Sequence, residues 1–523
     1  MIATKSATEI KEIPRLLMFA VCAFSGLVIG FEIYRNALFA IAGVAGVLVL
    51  LAIVRRPNVG TWLGIFAIYS NVGVALLKQD VKTLQTGLDQ DSRSAVLALV
   101  ALFLSGPLIY HIVVRRAKIV VDRGVVLMAL FLIVLLISSV FARDKAIALT
   151  QVSDFALEGV ALYLLVINLV RDAVTLRSVL CAVLFAGAAM GMLSIFQEAT
   201  GTTTNNYYGL AQRGGVFEVP EAEENGDSGV ESMRTRVAGP IGEQNRYAQI
   251  LLVLLPLAFA FARWSRGWAA RLFSWFTFFT ILGGIILTFS RGACVALFAM
   301  LVAMTLLGGV KWYKVGIACL IGALVIVVAE PDYIVRLSSI GNVGGLFSRQ
   351  QSTPDFSIRR RYAENVACIH TFMSSPLVGV GPGHFAAFYS EPYVNHSGIV
   401  RTMKGYRGHS LYLEMAAETG LLGILIFLSI VGSMLLQLRR EYRSPALREH
   451  PEYVDLTKAF FVSIVGYMVS AIFLHLSYQR YFWLLLALAS ASVAVVRSLT
   501  GEDMPLYDDC HPNFLPAADV PLP

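Results

Sequence analysis

Four of the eight histidines in the sequence, and many of its arginines, lie in one long segment between two apolar runs, residues 330–410. The histidines are His370, His384, His396 and His409. No two of them are three or four residues apart, the separations that would place two metal ligands on one face of a helix. The glycine-rich run before Phe385 lacks the Lys-Ser/Thr of a phosphate-binding loop. We therefore predict neither a metal site nor a nucleotide cofactor.

His409 begins the run His-Ser-Leu-Tyr-Leu-Glu, where the segment passes into a long apolar helix. A neutral imidazole in that position could accept a proton from a hydroxyl group, which makes His409 the candidate general base. Glu414 and Glu418 are four residues apart and share one face at the start of the helix. The helix dipole alone stabilises carboxylates there, so they are either supporting groups of the site or purely structural.

Several arginines stand close to apolar runs, where a charged side chain usually has a function or reaches for lipid headgroups. Arg291 lies in Leu-Thr-Phe-Ser-Arg-Gly-Ala, a predicted tight turn between two apolar helices. Arg236 and Arg246 bracket a Gly- and Pro-containing run that favours a turn over a regular helix. The segment 330–410 adds more basic residues, namely Arg336, Arg349, Arg359, Arg360, Arg361, Arg401, Lys404 and Arg407. Guanidinium groups match phosphate oxygens, so we predict an anion site, with a solvated or lipid-facing surface as the alternative.

The elements that must position these residues are membrane helices. Of the 523 residues, 57% are hydrophobic and only 15% are charged, which excludes a soluble globular protein. Apolar runs long enough to cross a bilayer must be helical, because lipid offers no partner for backbone polar groups. We predict an all-α, polytopic transmembrane bundle of about 12–14 spans with a large external loop containing short helices. The runs lie near 16–33, 37–54, 60–77, 95–114, 124–141, 155–170, 178–197, 245–262, 271–289, 292–309, 312–329, 411–437, 459–475 and 481–497.

The basic residues of the short loops predict the orientation of the bundle. With the N-terminus in the cytoplasm, most lysines and arginines fall in inside loops, so both termini are predicted to be cytoplasmic. This bias also accounts for the net charge of +7 without a nucleic-acid partner. The predicted parts are an N-terminal bundle of about seven spans at 1–197, an acidic outside loop with a mobile middle at 198–244, helices eight to eleven at 245–329, an Arg/His-rich catalytic loop at 330–410, the last three helices at 411–499 and a disordered cytoplasmic tail at 500–523.

Taken in order, four segments resemble the O-antigen ligase and polymerase superfamily of bacterial polysaccharide assembly. They are Arg-Val-Ala-Gly-Pro-Ile-Gly-Glu-Gln-Asn-Arg-Tyr-Ala-Gln at 236–249, Leu-Thr-Phe-Ser-Arg-Gly-Ala at 287–293, Arg361 with the helix that runs to Ser375-Pro-Leu-Val-Gly-Val-Gly-Pro-Gly-His-Phe, and His409 to Gly423. The resemblance implies a multi-pass inner-membrane glycosyltransferase that acts at the periplasmic face, without metal or nucleotide sugar.

The resemblance also implies substrates and residue roles. The donor would be a glycan on undecaprenyl diphosphate and the acceptor another glycan or lipid A core, with membrane lipids and polysaccharide assembly proteins as further candidate partners. Arg291 and Arg361 become diphosphate ligands, with Arg236 as a third, and His409 becomes the base. The candidate supporting residues are Arg246, Arg407, Glu414 and Glu418. Attack opposite the diphosphate predicts inversion at the anomeric carbon.

One alternative stays open within this class of enzyme, and another lies outside it. The motifs do not separate a polymerase from a ligase that acts on lipid A core or a protein, although the acidic insertion and the extra helices favour a polymerase. A flippase or transporter of lipid-linked glycans would also use many helices and a cationic cavity. Transporters often show internal repeats, and this sequence shows none.

Overall fold

The computed structural model describes residues 57–72, 107–108, 111–112, 117–219, 232–265, 267–308, 310–311, 313–314, 316, 356–396, 407–476 and 479–501. The predicted spans at 16–33 and 37–54 and most of those at 95–114 and 312–329 lie outside these residues. So do residues 330–355 and 397–406 of the predicted catalytic loop, with Arg336, Arg349, Arg401 and Lys404, and nearly all of the predicted tail. What is described is a helical bundle with one β-hairpin, which confirms the predicted all-α polytopic fold.

The helices of the described residues, in chain order, are α1 (Pro57–Ser70), α2 (Arg123–Phe141), α3 (Lys145–Leu169), α4 (Ala173–Ala199), α5 (Gln244–Trp264), α6 (Trp268–Ile286), α7 (Arg291–Leu306), α8 (Phe356–Ser374), α9 (Ser390–His396), α10 (Leu411–Glu441), α11 (Pro451–Ser470) and α12 (Arg480–Thr500). Eight of these are long and apolar enough to cross a membrane: α2 to α6 and α10 to α12. The shorter α1 packs on α4, and α7 packs on α11.

Helices α3 and α11 begin furthest from the predicted positions. Helix α3 begins at Lys145, about ten residues before the predicted span, because the Asp144 carboxylate caps it by accepting from the Ala146 and Ile147 amides. Helix α11 covers Pro451–Ser470 instead of 459–475. The apolar run continues past Ser470, but the chain turns there and the Ala471 carbonyl accepts a hydrogen bond from the first amide of α10, 3.0 Å away. Residues 471–476 therefore form a turn at the end of the bundle.

An antiparallel hairpin lies between α4 and α5, where sequence analysis predicted only a loop and a turn. Strand β1 (Gln212–Val219) pairs with β2 (Ser232–Gly239), and Gln212 lies opposite Gly239. The acidic middle of the insertion, residues 220–231, lies outside the described residues. The Val237 amide donates to the Leu287 carbonyl at 3.3 Å, so β2 is attached to the end of α6.

The centre of the bundle is α12, whose apolar window is 78% buried, compared with 28% for α6. Phe482 and Trp483 of α12 are fully buried. Trp483 meets Phe155 of α3 at 5.2 Å between ring centroids, and Phe427 of α10 meets Phe482 at 5.6 Å. Such offset and edge-on aromatic contacts add to the packing that holds helices together where lipid is as apolar as the side chains.

Polar contacts connect the helices at both ends of the bundle. At one end, the Asn71 side chain bonds both Arg480 and the Pro240 carbonyl, and the Asp144 amide donates to His384 at 2.9 Å. We call this the site end; it contains described parts of the loops that sequence analysis placed outside. At the opposite end lie the contacts of the predicted inside loops, including Trp264 with Asp455, Arg497 with Glu441 and Tyr163 with Asp122.

The glycine-rich run at the site end interlocks with a break in α10. Gly420 leaves helical geometry with φ 66°, and the Leu421 amide donates to the Pro376 carbonyl at 2.8 Å. The amides of Val380 and Gly381 in turn donate to carbonyls of α10. Gly379 has φ +73°, and a Cβ there would lie 2.3 Å from the Glu418 carbonyl. The run thus serves close backbone packing against α10.

We expect Gly379→Ala to lower the free energy of unfolding by about 2–4 kcal/mol, through left-handed strain and overpacking together. Gly201→Ala is the matched control, because Gly201 also has a positive φ, +65°, but its Cβ would meet nothing within 4 Å. The control should lose only about 1–2 kcal/mol. Denaturation in detergent micelles measures both; equal losses would contradict the interlocked packing.

Candidate active site

Helix α8 forms one wall of the site, and its apolar face explains how it is placed. Ala363, Ala367 and Cys368 are fully buried and pack in a small cluster with Phe385 and Ala417. This cluster joins α8 to the glycine-rich run and to α10. Glu364 shares this face, three residues before Ala367 and four before Cys368, and is likewise fully buried.

His409 and Glu364 form a direct pair. The Nδ1 atom of His409 contacts Oε2 of Glu364, whose side chain is fully buried, and Oε1 of Glu364 accepts from Nε of Arg360 at 3.0 Å. A carboxylate can only accept a hydrogen bond, so we assign the imidazole proton to Nδ1. Nε2 of His409 then carries the lone pair, as a general base requires.

Arg407 is neutralised by one of the predicted supporting carboxylates. Its Nε and Nη2 atoms donate to Oε1 of Glu414 at 2.8 and 2.5 Å. Burial lowers the pKa of Arg407, but the carboxylates of Glu414 and Glu418 outweigh it and hold that pKa above its ordinary value. This pair lies beside the chain segment that carries His409, so it braces the candidate base.

Glu418 has a different set of contacts, on the glycine-rich run. Its carboxylate accepts from the Phe385 amide at 3.2 Å, and its carbonyl accepts from the Gly381 amide at 3.0 Å and the Ser138 hydroxyl at 2.9 Å. These contacts connect α2, α10 and the run. These contacts favour a supporting role for Glu418, in which it holds the backbone of the glycine-rich run in place.

Arg291 stands at the first position of α7, after a turn held by Arg236. Nε of Arg236 donates to the Thr288 carbonyl at 2.8 Å, and Nη2 donates to the Phe289 carbonyl at 3.2 Å. Phe289 is buried with φ +49°, a strained conformation for a residue with a side chain. Arg236 itself is 4% exposed, so its contacts favour positioning the turn. Its predicted role as a third diphosphate ligand stays a prediction.

Asn245 ties this turn to the start of α5. Its Oδ1 accepts from Nη2 of Arg236 at 3.1 Å and from the hydroxyl of Ser290 at 3.0 Å. Ser290 is the N-cap of α7 and accepts from the Ala293 amide. The hairpin, α5 and α7 therefore meet at one amide group, which sets the position of Arg291.

Arg291 and Arg361 are far apart in sequence, but in the fold they lie close enough for the charge of one to act on the other. Burial and the positive charge of Arg291 lower the pKa of Arg361, while Glu243 and Glu364 act in the opposite direction. Arg291 also stands at a helix N-terminus, whose dipole adds positive potential. Two neighbouring guanidiniums at such an end form a strong anion-binding potential.

Arg246 is placed in the first turn of α5 and is only 2% exposed. Its Nη1 donates to Oε1 of Gln249 at 3.0 Å, and its Nη2 lies 3.4 Å from Nδ1 of His475. Oε2 of Glu243, the N-cap of α5, lies 3.9 Å from its Nε. Because Glu243 also acts on Arg361, the predicted supporting residue Arg246 belongs to the same charged cluster.

Two other histidines of the predicted catalytic loop have described side chains, His370 and His384. Neither belongs to the His409–Glu364 pair. His384 is fully buried, and its Nε2 accepts from the Asp144 amide, which makes it a structural bridge to α3. His370 is exposed and stacks on Tyr393 at 5.9 Å. In the described ranges, no group of three His, Cys, Asp or Glu side chains could hold a metal ion. Metal-independent chemistry stays a prediction.

Sequence reasoning missed four residues of this arrangement: Glu243, Asn245, Glu364 and His475. Glu364 had a usable signal, because it follows Arg361 by three residues on a predicted helix and so shares its face. Glu243 and Asn245 lie in the segment 236–249 on which the family resemblance rests, but the sequence analysis gave them no role. His475 had no signal, because it ends an apolar run that was predicted to be a membrane span.

These features define a polytopic helical membrane protein with an arginine cluster and a carboxylate-paired histidine at one end of the bundle. Residues 276–428 match the family described as O-antigen ligase, which confirms the resemblance over this region. The matched region includes Arg291, Arg361, Glu364 and His409, whereas Arg236, Arg246 and His475 lie outside it. No curated protein gives a significant match to the chain.

Proposed function

We propose that the protein is a membrane glycosyltransferase of the ligase or polymerase type that takes its glycan from undecaprenyl diphosphate. One observation carries this proposal. One turn of α8 contains Glu364, which contacts His409, and Arg361, which lies close enough to Arg291 for its charge to act. One helix would thus connect an anion site with an oriented base. A transferase with a diphosphate leaving group needs both of these at the same place.

Arg291 and Arg361 hold the diphosphate in this mechanism. As the bond between the anomeric carbon and the phosphate oxygen breaks, negative charge grows on the leaving group. Guanidinium groups stabilise that charge through paired hydrogen bonds, and they are fixed before the reaction begins. The N-terminus of α7 adds its dipole to the same charge.

His409 activates the acceptor. The acceptor oxygen attacks the anomeric carbon, the bond to the diphosphate breaks, and its electron pair leaves with the phosphate oxygen. The acceptor proton moves to Nε2 of His409, while Nδ1 keeps its proton toward Glu364. Attack occurs on the face opposite the diphosphate, so the product has the inverted configuration.

We base the proposed membrane location and the proposed acceptor on the sequence. The bias of basic residues supports cytoplasmic termini and a periplasmic site in the inner membrane. The acidic insertion and extra helices favour an exopolysaccharide or O-antigen polymerase, whose acceptor is a second glycan, over a ligase with a lipid A core or protein acceptor. Assembly proteins of the polysaccharide pathway are further candidate partners.

The experiment that tests this proposal incubates the purified protein, in detergent micelles, with oligosaccharides linked to undecaprenyl diphosphate. We expect longer lipid-linked glycans, an inverted new linkage by NMR, and an unchanged rate after EDTA treatment. Transfer only to added lipid A core would assign a ligase instead. Absence of any product, together with movement of the lipid-linked glycan across vesicles, would replace the proposal with a transporter.

A further inference from the structure

The turn between α11 and α12 brings a histidine into the charged cluster. In this turn, residues 471–476, His475 is half-buried and its Nδ1 lies 3.4 Å from Nη2 of Arg246. The charge of Arg407 also acts on its ring. His475 thus contacts Arg246 in α5. It also lies within range of the charge of Arg407, in the segment that contains His409.

The turn is attached to both of those elements by its neighbours. Nε2 of Gln249 in α5 donates to the Ser470 hydroxyl at 2.7 Å. On the other side, the Leu411 amide donates to the Ala471 carbonyl at 3.0 Å, and the Tyr412 hydroxyl donates to the Met468 carbonyl at 2.7 Å. The position of His475 is therefore fixed relative to α5 and α10 together.

Arg246 needs such a neighbour because its place is unfavourable for a cation. It is buried in the first turn of α5, where the helix dipole disfavours positive charge. Its Nε makes no hydrogen bond to the described part of the chain, although the carboxylate of Glu243 lies 3.9 Å from it. A buried cation at the start of a helix is stabilised by an anion that binds there, as a diphosphate would.

The chemistry of the pair determines the state of His475. A guanidinium only donates hydrogen bonds, so Nδ1 of His475 must accept and the ring must be neutral, with its proton on Nε2. Burial, and then the positive charges of Arg407 and Arg246, lower the pKa of His475 well below its usual value. The ring thus remains an acceptor for Arg246 near neutral pH.

We infer that His475 is a positioning residue that, by accepting a hydrogen bond at Nδ1, directs the Arg246 guanidinium toward the diphosphate of the donor. The inference rests on the proposed function. It makes the turn after α11, which lies outside the region matched by the family, part of the donor site. His475 acts on donor binding through Arg246 and does not take part in proton transfer.

The test compares four variants in the lipid-linked glycan assay: His475→Phe, His475→Asn, Arg246→Gln and Arg246→Gln with His475→Phe. Phenylalanine keeps a ring without an acceptor, whereas the Asn side-chain oxygen lies near the position of Nδ1. We expect His475→Phe to raise the donor KM by about ten- to hundredfold, the range for a hydrogen bond to a charged group. His475→Asn should restore most of the loss, and the acceptor KM should stay unchanged.

The double variant separates positioning from general loss of structure. If His475 acts through Arg246, His475→Phe should add no further increase in donor KM once Arg246 is Gln. Independent losses that add, or a change confined to the acceptor KM, would overturn the inference. Should the Phe variant fail to fold, His475→Gln replaces it, because its oxygen lies near Nε2; equal activity of the Asn and Gln variants would then overturn the inference. A wild-type protein that forms no product rejects the proposed function itself.

Discussion

His409→Ala is expected to lower kcat by about 10²–10⁴-fold, the usual contribution of a general base. Glu364→Gln should lower it by a comparable factor, although the imidazole is still present. An amide can donate to Nδ1, which would move the imidazole proton to Nε2, the atom that must accept the acceptor proton. The measurement is steady-state turnover of lipid-linked glycan by each purified variant.

Because Glu364 acts through His409, the two losses should not add. In the His409→Ala background, Glu364→Gln should change kcat by less than about twofold. Arg360→Gln removes the other partner of Glu364 and should have a much smaller effect. His370→Ala is the histidine control, because His370 is exposed and stacked on Tyr393. Losses that multiply, or an Arg360→Gln variant as inactive as Glu364→Gln, would show that Glu364 only stabilises α8.

Arg361→Gln and Arg291→Gln are each expected to lower kcat/KM by about 10²–10³-fold, as loss of one preorganised charge-stabilising group does elsewhere. Lysine at either position should recover only part of this, because an ammonium cannot make paired hydrogen bonds to phosphate. Arg361→Gln should also weaken binding of undecaprenyl diphosphate alone, measured by titration in micelles, because the reacting sugar is absent from that ligand.

Arg359→Gln is the matched control for the cationic pair, since it removes the same charge from the same helix two residues away. It should retain activity within a few-fold. Equal losses in Arg359→Gln and Arg361→Gln would indicate a diffuse electrostatic effect rather than a defined diphosphate site. An Arg361→Gln variant that binds undecaprenyl diphosphate as tightly as the wild type would assign Arg361 to another role.

The site combines residues from segments that are distant in sequence, and each segment is held in place by its own contacts. Helix α8 contributes Arg361 and Glu364, the first residue of α7 is Arg291, and the segment before α10 contributes His409. Each of these is held by contacts with a different neighbour: the small cluster around Cys368, the Arg236–Asn245 network, and the Arg407–Glu414 pair. Changes in those supporting contacts should therefore reduce activity without touching substrate.

The sequence by itself determined the helical membrane fold, the approximate positions of the spans among the described residues, the turn at Arg291 and the helix start after His409. These follow from local physics, because in lipid each span must satisfy its own backbone hydrogen bonds and therefore appears as an apolar run. The α11 boundary was wrong by five residues for the same reason, since the turn after Ser470 is also apolar. The hairpin was missed because its strands lie in a segment predicted as loop.

Only the tertiary structure decided which side chains meet. It paired Glu364 with His409 and brought Arg361 within range of the charge of Arg291. It also turned Arg236 inward onto backbone carbonyls and added His475 to the cluster. Helices that are apolar on every side carry little sequence information about which face points inward. Their rotation is set by packing against helices far away in the chain, so the composition of the site could not be read from spacing along it.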